Sequence, residues 1–113
     1  MTLKRVMLEM GAGNDLHGGD YTKAALRAVQ DALHHSSLGF SKALGIDIEA
    51  MHVQVIIGVT KPEAVDSKKV QASLPHGQVT VDVKFGGLDI PDDVTGDVAV
   101  IASAAVIVSL ELA

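Results

Sequence analysis

The chain has no cysteine and no tryptophan, and its three aromatic residues, Tyr21, Phe40 and Phe85, make up 3% of it. Without cysteine there is no disulfide framework, no thiolate metal site and no cysteine nucleophile. With so few rings, the core must come from Val, Ile, Leu, Met and Ala. No excess of basic residues exists either: 9 Lys and Arg stand against 14 Asp and Glu, a formal charge of −5. That balance argues against nucleic acid and against an anionic membrane surface as partners. No run approaches 18 apolar residues, so no membrane-spanning helix is expected. No leader-like segment is read at the start, because the apolar stretch from Val6 to Met10 is short and contains Glu9. Cytoplasmic location is the resulting expectation.

What is present is a sequence 48% hydrophobic over 113 residues. That is the size of one domain, expected to bury roughly 65% of its unfolded surface. We read residues 1–113 as a single domain. Leu3 to Met10 alternates as a strand, with Val6, Leu8 and Met10 on one face and Met7 and Glu9 on the other. Gly11 to Gly19 reads as a loop. Asp20 caps a helix from Tyr21 to His35, with Ala25, Leu26, Val29, Ala32 and Leu33 as its buried stripe. Residues 36–50 read as an irregular crossover. Met51 to Thr60 alternates as a second strand ended by Pro62. Asp66 caps a short helix from Ser67 to Leu74, stapled by Val65 and Val70.

Gln78 to Phe85 is a third strand, with Val79, Val81, Val83 and Phe85 facing the core. Pro91 to Gly96 reads as a loop. Asp97 to Leu112 is apolar at every even position and dense in β-branched residues, so it reads as a fourth strand. Its length calls for a bulge near Ser103 to Ala105. The order β-α-β-α-β-β predicts an α+β two-layer sandwich, a four-stranded mixed sheet with two helices on one face. The other face, with Met7, Ile56, Ile101 and Ile107 beside His52, Gln54, Thr80, Asp82 and Lys84, stays uncovered. A half-apolar open face predicts a homo-oligomer, a trimer or a higher closed ring.

Functional chemistry is densest from Gly11 to Asp20. The segment runs from a strand end to a helix start, where ligands gather in α/β sheets. The spacing fits neither a dinucleotide fingerprint nor a phosphate loop, and Asp15 and Asp20 would repel phosphate. Asp15 and His17 at i, i+2 suit an acid/base pair or two metal ligands. In that reading the N–H groups of Gly11, Gly13 and Gly18 bind an oxyanion and Asp20 and His35 complete the site. A metal there would need His35 or Asp20 as a further ligand. The competing reading is a rigid turn with Asp15 and His17 bonded to backbone and Asp20 only capping.

Gly11, Gly13, Asp15, His17 and Gly18 spell GxGxDxHG, which resembles the signature of a Lin-type family of conserved hypothetical proteins. The resemblance continues through Asp20, Thr22 to Ala25, Arg27-Ala28 and His35-Ser36, and departs at Ser37 to Gly45. It implies a functional site at the loop, of unassigned reaction and cofactor. His52 to Val55, the helix at Asp66 and Ala102 to Ala105 loosely resemble one repeat of ring-opening amidohydrolases of the cyanuric acid hydrolase type. The element order is similar to trimeric chorismate-mutase-like folds. Ser103 would stand at the amidohydrolase nucleophile, but no matching Lys is found, and tight packing explains it as well. Two functions are therefore carried forward. One is an enzyme on a small polar or anionic metabolite, with His17 as acid/base. The other is a non-catalytic ligand-binding or structural oligomer.

Among the remaining candidates, His34 suits a helix C-terminus as an imidazolium, and Lys61 reads as a loop lysine within reach of a ligand carboxylate. His52 and His76 read as surface residues, and Met7, Met10 and Met51 as core filling.

Overall fold

The computed structural model describes residues 2–34, 45, 47–74 and 76–112. In chain order it comprises β1 (Thr2–Asp15), α1 (Tyr21–His34), β2 (His52–Val59), α2 (Ser67–Ala72), β3 (Gln78–Phe85), β4 (Leu88–Pro91) and β5 (Val98–Leu112). The five strands form one open mixed sheet in the order β1-β5-β2-β3, with β4 also on β5. β1, β2 and β4 run antiparallel to β5, and β2 runs parallel to β3. A parallel pair needs a crossover, and α2 supplies it. His35 and most of the expected crossover at 36–50 lie outside the described residues.

Both helices pack on one side of the sheet, α1 over β1 and β5 and α2 against β3. Their caps form as expected: the Asp20 carboxylate accepts the Lys23 N–H, and that of Asp66 accepts the N–H groups of Lys68 and Lys69. Val65 and Val70 are both buried. The core contains Val53, Val55, Ile57 and Val59 of β2 and alternate residues of β5 from Val100 to Leu110. Period-2 alternation therefore sorts these two strands correctly, and Val98–Leu112 is strand throughout.

Several expectations change. Among the described residues the strand count is five, because Leu88–Pro91, too short to show an alternating pattern, pairs with β5 over Val98 to Ile101. Chain entry to β4 is tight: a Cβ on Gly87 would lie 2.2 Å from the Ile101 carbonyl oxygen. The register shift lies in β1, between Arg5 and Met7, and not at Ser103 to Ala105. β1 also runs five residues beyond the expected end and turns the other way. Met7 packs on the core, whereas Val6, Leu8 and Met10 are exposed, Met10 at 69%. Phe85, at the end of β3, is 80% exposed. On α1 the buried stripe is Tyr21, Ala24, Ala25, Ala28, Val29 and Ala32, while Leu26 and Leu33 are only half-buried.

The turn of β1 and the alanine stripe of α1 share one cause, a close contact between them. A Cβ on Gly11 would stand 2.4 Å from the Ala32 backbone N, and one on Gly13 2.2 Å from that of Ala28. Helix α1 rests directly on the backbone of β1, with alanines on one side and glycines on the other. Core-facing side chains at positions 11 and 13 would force the layers apart. Among the described residues, no helix is long and apolar enough to cross a membrane.

Candidate functional site

The residues from Gly11 to Asp20 divide into two groups that face different ways. Gly11 and Gly13 belong to β1, opposite Ala104 and Ala102 of β5. Between them, Ala12 donates its N–H outward to Asp31 Oδ2 at 2.9 Å. Successive N–H groups of a strand alternate in direction, so those of Gly11 and Gly13 point toward β5. Their role here is close helix packing.

Asp15 ends β1 beneath the start of α1 and is 4% exposed. Its Oδ2 accepts the Asp20 N–H at 2.9 Å, and its Oδ1 lies 3.9 Å from Lys23 Nζ and 3.8 Å from Arg27 Nη1. Lys23 and Arg27 are four apart, so one face of α1 presents both cations to this carboxylate. Arg27 also donates to the Asn14 carbonyl at 2.6 Å. Asp15 thus ties strand end to helix start, and its carboxylate does not meet the His17 ring. Asp20 is occupied by its cap.

His17 faces out, with a side chain 87% exposed. Its Nδ1 lies 3.1 Å from Asp97 Oδ2, and Gly18 donates its N–H to Asp97 Oδ1 at 2.8 Å. The Val98 N–H also donates to Asp97 Oδ1. The Gly18 N–H, then that of Val98, then the imidazole hold the Asp97 carboxyl below its ordinary pKa. An ionised Asp97 favours a proton on Nδ1 and leaves the Nε2 lone pair outward. Of the three glycine N–H groups considered for an oxyanion, that of Gly18 is spent on this carboxylate.

His17 and Asp97 border an open cleft of about 640 Å³, with Leu16, Ile90, Pro91, Val94 and Ala99 as apolar wall and Asp92, Asp93 and Thr95 as polar rim. Asp92 accepts the N–H groups of Val94 and Thr95, which lower its pKa and close the turn before β5. Asp97 was not singled out in the sequence. It follows Gly96 at a loop end, eighty residues from His17, and no local spacing connects them.

A second polar group lies on the helix side of the sheet. Tyr21 OH and Thr60 Oγ1 donate to Asp89 Oδ2 at 2.5 and 2.6 Å. Asp89 Oδ1 is buried and accepts no hydrogen bond in the described structure. Lys61 Nζ lies 6.0 Å from the centre of the Tyr21 ring. No group of three or more His, Asp or Glu side chains able to hold a metal occurs among the described residues. His34 ends α1 as expected, and His76 pairs with Glu49 at 2.8 Å, which lowers the Glu49 pKa. Ser103 is exposed on the open sheet face beside Gly58, where an added Cβ would approach its Oγ to 2.8 Å. This contact agrees with tight packing.

Residues 5–108 match the family model described as a conserved hypothetical protein, Lin0512. A solved structure, an FtsZ-like protein of unknown function from Nostoc punctiforme, is similar at 37% identity. The match covers 99% of both chains with a TM-score of 0.87. No curated protein matches the chain.

Proposed function

The chain belongs to the Lin0512 family of conserved hypothetical proteins, and on that premise we propose that its functional site is the cleft beside His17 and Asp97, which takes a small molecule against the free Nε2 of His17. The observation that carries this reading is the His17 Nδ1 to Asp97 Oδ2 contact at 3.1 Å on the border of a cleft. A carboxylate on Nδ1 orients the ring and leaves Nε2 to accept a hydrogen bond or proton from a ligand. The carboxylates of Asp92, Asp93 and Asp97 around an apolar wall favour a neutral or cationic ligand with an apolar part over an anion. Family membership supplies no reaction, so the reading commits to binding, with His17 as the group that would act as acid/base on a reactive ligand.

The rigid-turn reading is favoured for the other half of the motif by the burial of Asp15 and the helix contact at Gly11 and Gly13. One signature thus serves two ends: Gly11, Gly13 and Asp15 dock α1, while Gly18 holds Asp97 and the histidine meets the ligand.

The test is a fragment screen read by amide chemical shifts, on wild type, His17→Ala and Asp97→Asn. Ligands are expected to shift residues 90–99 and to lose affinity in both variants. Hits that bind equally to His17→Ala, or that map away from the cleft, would overturn the reading. His17 is exposed, so its removal should leave the fold intact.

A further inference from the structure

Among the described residues, no element packs on the sheet face opposite the helices. Register places Leu8, Met10, Ile56, Ile90, Ile101 and Ile107 on it. Met10 and Ile90 are 69% and 52% exposed. Side chains of this kind are ordinary when scattered singly, but here they gather on one sheet face, interleaved with Ser103, Gln54 and Thr80. We propose that this face docks a second copy of the same chain across a two-fold axis.

Three observations select that occupant. The first is charge. The chain carries −5 overall, yet the charged residues that register assigns to the open face cancel: Arg5 and Lys84 against Asp82 and Glu111. Two like-charged chains can approach through a neutral face, whereas a strongly basic or acidic partner would find no net charge to complement.

The second is symmetry. The opposite charges come as neighbours: Asp82 and Lys84 lie two apart on β3, 3.6 Å from each other. Arg5 and Glu111 are set diagonally at the far end of β1 and β5. A two-fold contact brings a patch against itself, and neighbouring pairs of opposite sign can each meet their opposite across the axis.

The third is area. β5 has fifteen residues, β1 fourteen, and β2 and β3 eight each. At about 3.3 Å per residue and 4.8 Å between strands they span roughly 700 Å². A standard interface takes about 800 Å² from each partner. The face alone is therefore close to the size a stable dimer needs. This contact replaces the ring expected from the sequence with a face-to-face pair; it shares Ile90 and Ala99 with the cleft wall but does not use His17.

The experiment is light scattering on the full chain at micromolar concentration, repeated for Met10→Lys and Leu8→Lys, which lie on this face outside the cleft. Wild type should weigh twice 11.7 kDa, and each variant should weaken the dimer by about tenfold or more. Both side chains are exposed in the single chain, so circular dichroism should show the same fold. A monomeric wild type would overturn the proposal, as would a mass of three chains or dimers unaffected by both substitutions. His17→Ala should dimerise like wild type, which separates this contact from the cleft.

Discussion

Gly13 of β1 lies so close to Ala28 of α1 that a Cβ would stand 2.2 Å from the Ala28 backbone nitrogen. That neighbour is backbone held in a helix and cannot rotate aside. Gly13→Ala should therefore destabilise the protein by about 2–4 kcal/mol through separation of helix and sheet. Gly96→Ala makes the control. A Cβ there meets nothing within 4 Å, although φ is +74°, so its cost should stay near 1–2 kcal/mol. Urea unfolding of both variants measures the difference, and equal losses would mean that close approach is not what Gly13 provides.

Asp15 leads to a second prediction. Its buried carboxylate accepts the Asp20 N–H and lies near Lys23 and Arg27. Asp15→Ala orphans that N–H and should cost about 2–3 kcal/mol. Asp15→Asn keeps an acceptor in place and should cost less. Neither should alter binding in the cleft, because the carboxylate does not reach it. Paired melts and ligand titrations check both halves, and a selective loss of binding in Asp15→Asn would return Asp15 to the site.

Much of this fold was legible because it is written in local periodicity. The alternation of β2 and β5 and the caps at Asp20 and Asp66 each depend on neighbours within a few residues. What stayed hidden depends on distance. The turnover of β1 came from reading Leu8 and Met10 as core when their face is open. The deciding signal was Gly11 and Gly13, whose absent side chains make room for an alanine-faced helix. β4 was lost among glycines and prolines because four residues show no period. At the site, His17 could be selected by residue type. Its partner Asp97 could not, since only the pairing of β1 and β4 with β5 brings loop and strand start together.

The pH response of Asp97 has a definite sign. Hydrogen bonds from Gly18 and Val98 lower its pKa in the folded chain. A lowered carboxyl pKa contributes stability that is present above the unfolded value, about 3.9, and is lost as pH falls through the folded value. Asp97→Asn should therefore flatten the fall in stability that wild type shows on acidification below about pH 4. Thermal melts from pH 6 to pH 2 test this. The same slope in both proteins would show that Asp97 has no part in acid unfolding.

Tyr21 and Thr60 converge on one oxygen of Asp89 from the start of α1 and the end of β2. Hydrogen bonds to a charged acceptor are worth about 1.5–3 kcal/mol each, and here the second carboxylate oxygen is buried with no donor. Loss of either hydroxyl leaves the charge with a single remaining donor, so the two losses should not add. Tyr21→Phe and Thr60→Val should each cost about 1–2 kcal/mol, and the double variant should cost more than their sum. Asp89→Asn, which removes the charge, should shrink that coupling toward zero. Urea unfolding of the four-member cycle, repeated in the Asp89→Asn background, supplies the numbers. Strict additivity with Asp89 present would mean that each hydroxyl bonds the carboxylate independently of the other.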